Sequence, residues 1–199
     1  METKGQLLVI SGPSGAGKGT VCKALIDKNP IWISVSCTTR TPRDGEVHGV
    51  NYYFIEKEEF LDRIDKNDFL EYAEVYGNYY GTPKSEVLKM LDEGKDVILE
   101  IDIQGALKIK SAYPDGVFIF IMPPSMEELR NRITNRGSET PESLKTRMES
   151  AYNEISFASK YDYAVVNDQV DEAVKKIESI IVAEKCRVFK IKDELFGRF

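Results

Sequence analysis

The sequence of 199 residues has very little histidine and cysteine: one histidine, His48, and three cysteines. Metal centres and proton relays that need two histidines in one chain are therefore excluded. Cys22, Cys37 and Cys186 are odd in number, lie far apart and never form a C-x-x-C pair. This usage is typical of a reduced cytosolic chain, and it argues against a disulfide framework or a zinc site built on cysteine.

Long apolar runs are also missing. The first apolar segment, Leu7–Ile10, is shorter than the core of a signal peptide, and no uncharged stretch reaches the ~18 residues of a membrane-spanning helix. The 33 acidic residues exceed the 27 basic ones, giving a net charge of −6. Such a charge disfavours general binding to nucleic acid or to anionic membranes. We expect a cytoplasmic protein that binds small molecules, with no nucleic-acid or membrane partner.

The apolar content of 42% is sufficient for a globular core. Short buried-strand patterns alternate with helical periodicity, which predicts an α/β fold with a parallel sheet flanked by helices. The predicted strands are Leu7–Ser11, Trp32–Val35, Val97–Ile103, Val117–Met122 and Tyr163–Val166. The predicted helices are Lys18–Lys28, Glu86–Asp92, Gly105–Ala112, Met126–Thr134 and Asp171–Cys186.

Two segments interrupt this alternation. Residues 36–82 are rich in tyrosine, glycine and charge, and they predict a small α+β insertion with strands near Asn51–Ile55 and Phe69–Tyr76 around a helix at Lys57–Asp65. Residues 133–158 predict a polar helical lid. The chain is therefore expected to form a single domain over 1–199, with a core made of residues 1–35, 83–132 and 159–199.

A glycine-rich loop lies between the first predicted strand and the first predicted helix. Its glycines let backbone N–H groups converge on phosphate oxygens, and the helix that follows directs its positive end at the same anion. Lys18 adds a mobile positive charge, and Thr20 is the expected Mg²⁺ ligand, directly or through water, although Gly19 separates it from the lysine. The predicted ATP-binding residues are Gly12, Pro13, Ser14, Gly15, Ala16, Gly17, Lys18, Gly19 and Thr20. This loop predicts a nucleoside triphosphate site, without specifying the reaction.

Two arginines, Arg40 and Arg43, flank Pro42 in the segment 36–43. Guanidinium forks bind phosphate oxygens bidentately, but two arginines on a surface are ordinary by themselves. The segments Thr-Thr-Arg-Thr-Pro-Arg (38–43), Gly-Asn-Tyr-Tyr-Gly-Thr (77–82) and Ile-Asp-Ile-Gln-Gly (101–105) are specific in combination. On these motifs the chain resembles the guanylate kinase family over nearly its whole length.

The resemblance implies a P-loop NTPase-like fold with a GMP-binding insertion and a lid. It implies an Mg²⁺-dependent ATP:GMP phosphotransferase of purine metabolism, accepting GMP and dGMP and acting as a monomer or a homodimer. The implied GMP-binding residues are Ser36, Arg40, Arg43, Tyr52, Glu71, Tyr80, Thr82, Glu100 and Asp102. The implied catalytic residues are Lys18, Arg40, Arg132, Arg136 and Arg147, and Asn167 is expected near the donor adenine.

The residue chemistry agrees with these assignments. Guanine presents two adjacent donors that one carboxylate, such as Glu71, accepts side by side, whereas adenine presents an acceptor there. Glu100 and Asp102, two residues apart in a predicted strand, are expected on one face at its carboxyl end. Simpler roles stay open: Glu71 as a surface carboxylate, Glu100 and Asp102 in ion pairs with arginines, and Arg132 paired with Glu128 on a helix.

Two other functions stay open as well. One is a catalytically inactive module that binds peptides in the GMP cleft, against which the lysine and the lid arginines count. The other is a kinase for a different nucleoside monophosphate, against which Glu71 and Thr82 count.

Overall fold

The computed structural model of the protein describes residues 4–75, 77–134 and 141–197. Outside residues 36–83, strands and helices largely alternate along these ranges, as the sequence predicts. In chain order the elements are β1 (Leu7–Ser11), α1 (Lys18–Lys28), β2 (Trp32–Ile33), β3 (Cys37–Thr38), β4 (Tyr53–Phe54), α2 (Lys57–Asp65), β5 (Phe69–Val75), β6 (Asn78–Pro83), α3 (Lys84–Asp92), β7 (Val97–Glu100), α4 (Ile103–Ala112), β8 (Val117–Met122), α5 (Met126–Thr134), α6 (Pro141–Ser156), β9 (Tyr163–Val166), α7 (Val170–Lys185) and α8 (Val188–Phe196).

The chain divides into two compact units, the first made of Met1–Ser11 and Pro30–Phe118. Three of its strands are parallel, in the order β2–β7–β1, with Leu7 opposite Val97 and Ile10 opposite Glu100. All of β1 and the first three residues of β7 are buried. The continuous apolar pattern of both strands follows from this, because parallel strands with two covered faces have no solvent side.

The predicted insertion forms a second sheet in the same unit, in the order β4–β3–β6–β5. The β5–β6 and β3–β6 pairs are antiparallel, and β3–β4 is parallel. The helix α2 covers this sheet through Phe60, whose ring stacks on Phe69 at 4.5 Å and on Tyr79 at 5.4 Å. The predicted helix at Lys57–Asp65 is confirmed, whereas the strands β3 and β6 were not predicted.

The second unit comprises Gly12–Asn29 and Ile119–Phe199. Its strands β8 and β9 pair in parallel, and α1 packs on α7, where Lys28 binds Asp171 at 2.8 Å. Leu129 and Ile133 of α5 form an apolar cluster with residues of α6. The Ser125 hydroxyl accepts the Glu128 N–H at 3.0 Å, which confirms the predicted start of α5.

The α/β class is confirmed, and most boundaries agree within two residues. The strand predicted over Val97–Ile103 is wrong at its end, because it stops at Glu100 and α4 begins at Ile103. The division into core, insertion and lid stays a prediction. Among the described helices, none is long and apolar enough to cross a bilayer.

Helix α8 is attached to the second unit by a buried carboxylate. Glu184, only 3% exposed, lies near the end of α7 and accepts hydrogen bonds from the Tyr163 hydroxyl at 2.6 Å, Lys190 at 3.0 Å and Arg187 at 3.2 Å. One side chain therefore connects β9, α7 and α8.

We expect Glu184→Ala to lower the free energy of unfolding by about 1–3 kcal/mol, because its removal leaves several polar groups without their acceptor. Urea denaturation measures this loss. The control is Glu172→Ala on the same helix, whose exposed pair with Lys175 at 2.8 Å is worth about 0–1 kcal/mol. Equal losses in the two variants would contradict the role given to Glu184.

Candidate active site

The glycine-rich loop joins β1 to α1 by a backbone path that only glycine takes readily. Gly12, Gly15 and Gly17 have φ angles of 146°, 90° and 86°. A β-carbon on Gly12 would lie 2.3 Å from the Ile121 carbonyl oxygen, and one on Gly17 would lie 2.4 Å from Asn167 Nδ2. Neither position accepts a larger residue without displacing its neighbour.

The loop leads directly into the amino end of α1. The residue before this helix is Gly17, which has no side chain that could cap the first turn. Backbone amides at the amino end of a helix are the groups that bind anions in glycine-rich loops of this kind. The Lys18 ammonium folds over the loop, donating to the carbonyl oxygens of Gly12 at 2.7 Å and of Pro13 at 3.2 Å. The predicted lysine and amide groups therefore converge on one loop.

A cavity of about 380 Å³ opens beside this loop, within the second unit. Asn167 is 3% exposed and donates from Nδ2 to the Ala16 carbonyl oxygen at 2.8 Å. Its buried Oδ1 accepts no hydrogen bond from the described residues, so it offers an acceptor to a bound molecule. The cavity is lined by Gly15, Gly17, Thr20, Arg132, Asn167, Asp168 and Val170.

Two of the predicted catalytic arginines, Arg132 and Arg147, contact site residues of this unit. Arg132 donates from Nε to Glu128 at 2.8 Å, which confirms the predicted helix pair, and from Nη1 to the Asn167 carbonyl oxygen at 3.1 Å. Arg147, on α6, donates to the Ser14 hydroxyl at 2.8 Å. Arg136, another predicted catalytic arginine, lies outside the described residues.

In the first unit, Arg40 lies among aromatic rings and a carboxylate. Both of its terminal nitrogens bind Glu46 at 2.9 Å, and its guanidinium lies 5.5 Å from the centre of the Tyr52 ring. The Tyr52 and Tyr80 rings are 6.0 Å apart. Hydrogen bonding to Glu46 is the main cause of the raised pKa of Arg40, and the Tyr80 hydroxyl raises this pKa further. Three predicted phosphate ligands, Arg40, Tyr52 and Tyr80, are thus together.

The role of Glu46 was not predicted from the sequence. Its carboxylate follows Arg40 and Arg43 and precedes Tyr52, and this position was a signal that could have identified it. Its Oε2 also accepts the backbone N–H of Arg43 at 2.8 Å, while the rest of Arg43 is exposed. The Arg40 pair is the first cause that lowers the pKa of Glu46. One carboxylate therefore links the two predicted phosphate arginines.

The predicted base-reading residues Glu71 and Thr82 also meet. Glu71 is 7% exposed, so its reading as a surface carboxylate is wrong. The Thr82 hydroxyl donates to Glu71 Oε1 at 2.7 Å. Burial raises the pKa of Glu71 to about 7, with Asp102 adding to the effect and Thr82 and Lys108 opposing it. Ser36 is half-buried, and its carbonyl oxygen accepts the Tyr53 N–H at 2.9 Å.

The expectation that Glu100 and Asp102 share one strand face is wrong, because β7 ends at Glu100. Asp102 instead caps α4, where its Oδ1 accepts the Gly105 N–H at 2.8 Å. This cap begins the helix and satisfies an amide that would otherwise lack a partner. Glu100 is half-buried, and after burial it is the main group that raises the pKa of Tyr52 to about 12.

The chain is similar to known proteins over most of its length. The guanylate kinase family model matches residues 4–184. A guanylate kinase from Clostridium tetani is 69% identical over 192 residues, which cover 96% of this chain and 92% of the relative. The chain belongs to the guanylate kinase family. Another member, from Clostridioides difficile, is 53% identical over 98% of this chain and 96% of the relative.

Solved structures give the same result. The crystal structure of guanylate kinase from Anaplasma phagocytophilum has a TM-score of 0.80 and 39% identity, covering 94% of this chain and 89% of that one. A shikimate kinase from Bacteroides thetaiotaomicron has a TM-score of 0.51 at 13% identity, covering 88% of this chain and 98% of that one, which shows likeness of fold alone. The predicted family and P-loop kinase fold are confirmed, and the individual residue roles stay predictions.

The burial of Glu71 predicts a pH-dependent penalty on folding. Because its folded pKa of about 7 lies above the ordinary value of 4.5, the folded protein holds a proton between these values that the unfolded chain releases. The stability that this proton on Glu71 contributes is complete below pH 4.5 and is lost as the pH rises through 7. We therefore expect Glu71→Gln to be more stable than the natural protein at pH 8, with the difference shrinking towards pH 5.

Urea denaturation at both pH values measures this change. The control is Glu74→Gln, because Glu74 lies on the same strand with an exposed side chain. A stability difference that does not vary with pH in Glu71→Gln, or that varies equally in the control, would contradict the burial argument.

Proposed function

We propose that this protein transfers the γ-phosphoryl group of ATP to GMP, giving ADP and GDP. Membership of the guanylate kinase family supports the reaction class. The observation that carries the acceptor's identity is the buried Glu71 carboxylate held by the Thr82 hydroxyl at 2.7 Å. A buried carboxylate with its partner fixed is a specific acceptor for adjacent N–H donors.

The donor side of the proposal rests on the second unit. The backbone amides of the glycine loop and of the amino end of α1 bind the ATP phosphates, and Lys18 moves from the loop carbonyls to the β/γ-phosphates. Adenine lies in the cavity beside the loop, where Asn167 Oδ1 accepts a hydrogen bond from the exocyclic amino group.

Magnesium enters this proposal together with ATP. The described ranges contain no group of three or more Asp, Glu, His or Cys side chains that would hold an ion. A site with few protein ligands fits Mg²⁺, because this ion is commonly held by one or two protein groups together with phosphate oxygens and water. Thr20, which lines the cavity, would hold the ion directly or through water. When bound, Mg²⁺ neutralises charge on the phosphates.

The acceptor phosphate is assigned to Arg40, Arg43, Tyr52 and Tyr80. Arg40 directs three of its N–H donors to Glu46 and to the Thr41 carbonyl oxygen, which fixes the plane of the guanidinium. A fixed fork binds a phosphate with less loss of side-chain entropy than a free one. Glu46 is therefore assigned as the residue that orients Arg40.

The guanine base is assigned to Glu71, Ser36 and Thr82. Ionised Glu71 accepts the N1–H and N2–H₂ donors of guanine side by side, whereas the N1 acceptor of adenine would face a carboxylate and be repelled. Thr82 already donates its hydroxyl proton to Glu71. The donor to guanine O6 is therefore assigned to Ser36, which keeps the carboxylate fully held while the base is bound.

The chemistry needs no general base, because the attacking atom is an oxygen of a phosphate that is already anionic. Catalysis consists of aligning two anions and neutralising their charge. Lys18, Arg132, Arg136 and Arg147 supply this charge in the proposal, while Glu100 and Asp102 serve the acceptor side. The proposal includes dGMP as a second acceptor, a cytoplasmic location and a monomer or homodimer.

ADP release measured with GMP, dGMP, AMP, UMP and CMP as acceptors tests the proposal as a whole. Activity confined to GMP and dGMP is expected. Activity with none of them would favour the inactive interaction module, and a preference for another nucleotide would favour a different monophosphate kinase.

We expect Lys18→Ala to lower kcat by about 10²–10³-fold or more, since it removes a positive charge from the transferring phosphate. Its unfolding temperature should stay close to that of the natural protein. The control is Lys28→Ala at the other end of α1, where the lysine forms an exposed pair with Asp171. Near-normal turnover of Lys18→Ala would contradict the assignment of the loop.

We expect Glu71→Gln to lower kcat/KM for GMP by about 10–100-fold while KM for ATP stays within twofold, because only the base loses a charged acceptor. In the natural protein, kcat/KM for GMP should fall as the pH drops through 7, since protonated Glu71 no longer accepts both guanine donors. This inflection should be absent in Glu71→Gln, although the GMP phosphate still titrates near pH 6 in both proteins. Equal losses for GMP and ATP would remove the base-reading role.

A further inference from the structure

The first turn of α4 touches the carboxylate of Glu71 at a glycine. A β-carbon added to Gly105 would lie 2.4 Å from Glu71 Oε2 and 2.9 Å from its Cδ. Gly105 is buried and belongs to the same unit as Glu71. Glycine inside a helix is about 1 kcal/mol less favourable than alanine, so helix formation does not explain its presence here.

The helix is held in place on both sides of this contact. Asp102 caps the Gly105 N–H at 2.8 Å, which fixes the first turn. One turn later, Lys108 donates to the backbone carbonyl of Tyr72 and lies 5.0 Å from the centre of its ring. Because Tyr72 follows Glu71 in β5, α4 is fastened to the strand that carries the carboxylate. A side chain at position 105 would therefore displace Glu71 rather than the helix.

The other carboxylate oxygen is already fixed. Thr82 donates to Oε1 at 2.7 Å, so Gly105 on one side and Thr82 on the other determine where the two oxygens lie. A displacement of Oε2 by an ångström or more breaks the side-by-side arrangement that two adjacent base donors require, since hydrogen bonds weaken steeply with distance and angle.

We propose that Gly105 is a specificity-determining position, whose missing β-carbon lets the first turn of α4 hold the Glu71 carboxylate in register with the paired donors of guanine. The inference rests on the proposed function, because it assumes that Glu71 accepts those donors. Gly105 touches no substrate atom in this scheme and acts through Glu71, so it is a positioning residue.

The test is Gly105→Ala, assayed with GMP and IMP as acceptors. IMP keeps N1–H and O6 and lacks the 2-amino group, so the GMP/IMP ratio of kcat/KM reports the second oxygen. We expect kcat/KM for GMP to fall at least tenfold, mainly through KM, with the GMP/IMP ratio moving towards one and KM for ATP within twofold. Ser111→Ala, an exposed position on the same helix, should leave all these values unchanged.

Comparison with Glu71→Gln separates this inference from the proposed function. If Glu71→Gln leaves GMP use unchanged, the proposed base recognition fails, whatever Gly105 does. If Glu71→Gln impairs GMP use while Gly105→Ala keeps the GMP/IMP ratio, only the present inference is overturned. In the double variant the two losses should be less than additive, and full additivity would also overturn it.

A loss of stability has its own test. Should Gly105→Ala lower the unfolding temperature, adding Glu71→Asp shortens the carboxylate by one methylene and should restore most of the loss. A destabilisation that the shorter side chain does not relieve would show that position 105 acts on something other than Glu71, and it would overturn the inference.

Discussion

At two glycines the backbone of this protein closely approaches a side chain of the candidate site, because a β-carbon is missing there. At Gly17 the phosphate loop comes within 2.4 Å of Asn167 Nδ2, measured from the place a β-carbon would occupy, and at Gly105 the start of α4 comes equally close to Glu71 Oε2. Gly17 directly precedes α1, and Gly105 lies in the first turn of α4, where Asp102 accepts its N–H at 2.8 Å. Close approach at these positions brings the start of a helix and a side chain of the candidate site into one small volume.

Two arginines of the candidate site are held by ion pairs of different strength. Arg132 pairs with Glu128 across one helical turn, with side chains that are 26% and 41% exposed. A partly exposed ion pair of this kind is worth about 0–1 kcal/mol. The Arg40 pair differs because its side chains are only 13% and 19% exposed, and Glu46 also holds the backbone of the next arginine. Arg40 is therefore held more firmly than Arg132.

Local patterns in the sequence predicted whatever depends on local physics. The strand–loop–helix around the glycine-rich loop agrees with its predicted bounds, because apolar runs, glycines and helical periodicity each act over a few residues. The Glu128–Arg132 pair follows from the spacing of four in a helix. Asp102 was misplaced because an alternation of apolar and acidic residues fits a strand and also fits the turn that precedes a helix cap. The strand β3 was missed because two residues are too few to show an alternation of apolar and polar side chains. The strand β6 was missed because its segment, rich in Gly and Tyr, shows no such alternation.

The contacts proposed for base recognition join residues far apart in sequence, and no local pattern contains them. Glu71 is eleven residues from Thr82 by number and thirty-four from Gly105, and only the pairing of β5 with β6 and the packing of α4 on β5 bring the three together. The motif containing Gly105 identified the family without revealing why glycine is needed there. The reason is steric, and it becomes visible only when the neighbouring strand is in place.

The same packing explains why a carboxylate with an unfavourable environment is kept. Burial raises the pKa of Glu71 to about 7, so above this pH the folded protein carries an ionised group that would be more stable in water. Two guanine donors would replace the lost hydration, which makes the penalty largest without ligand and smallest with it. Stability and base recognition therefore oppose each other at this residue. A substitution that removes the buried charge is expected to stabilise the fold above pH 7, and it would remove the acceptor that the proposed function assigns to guanine.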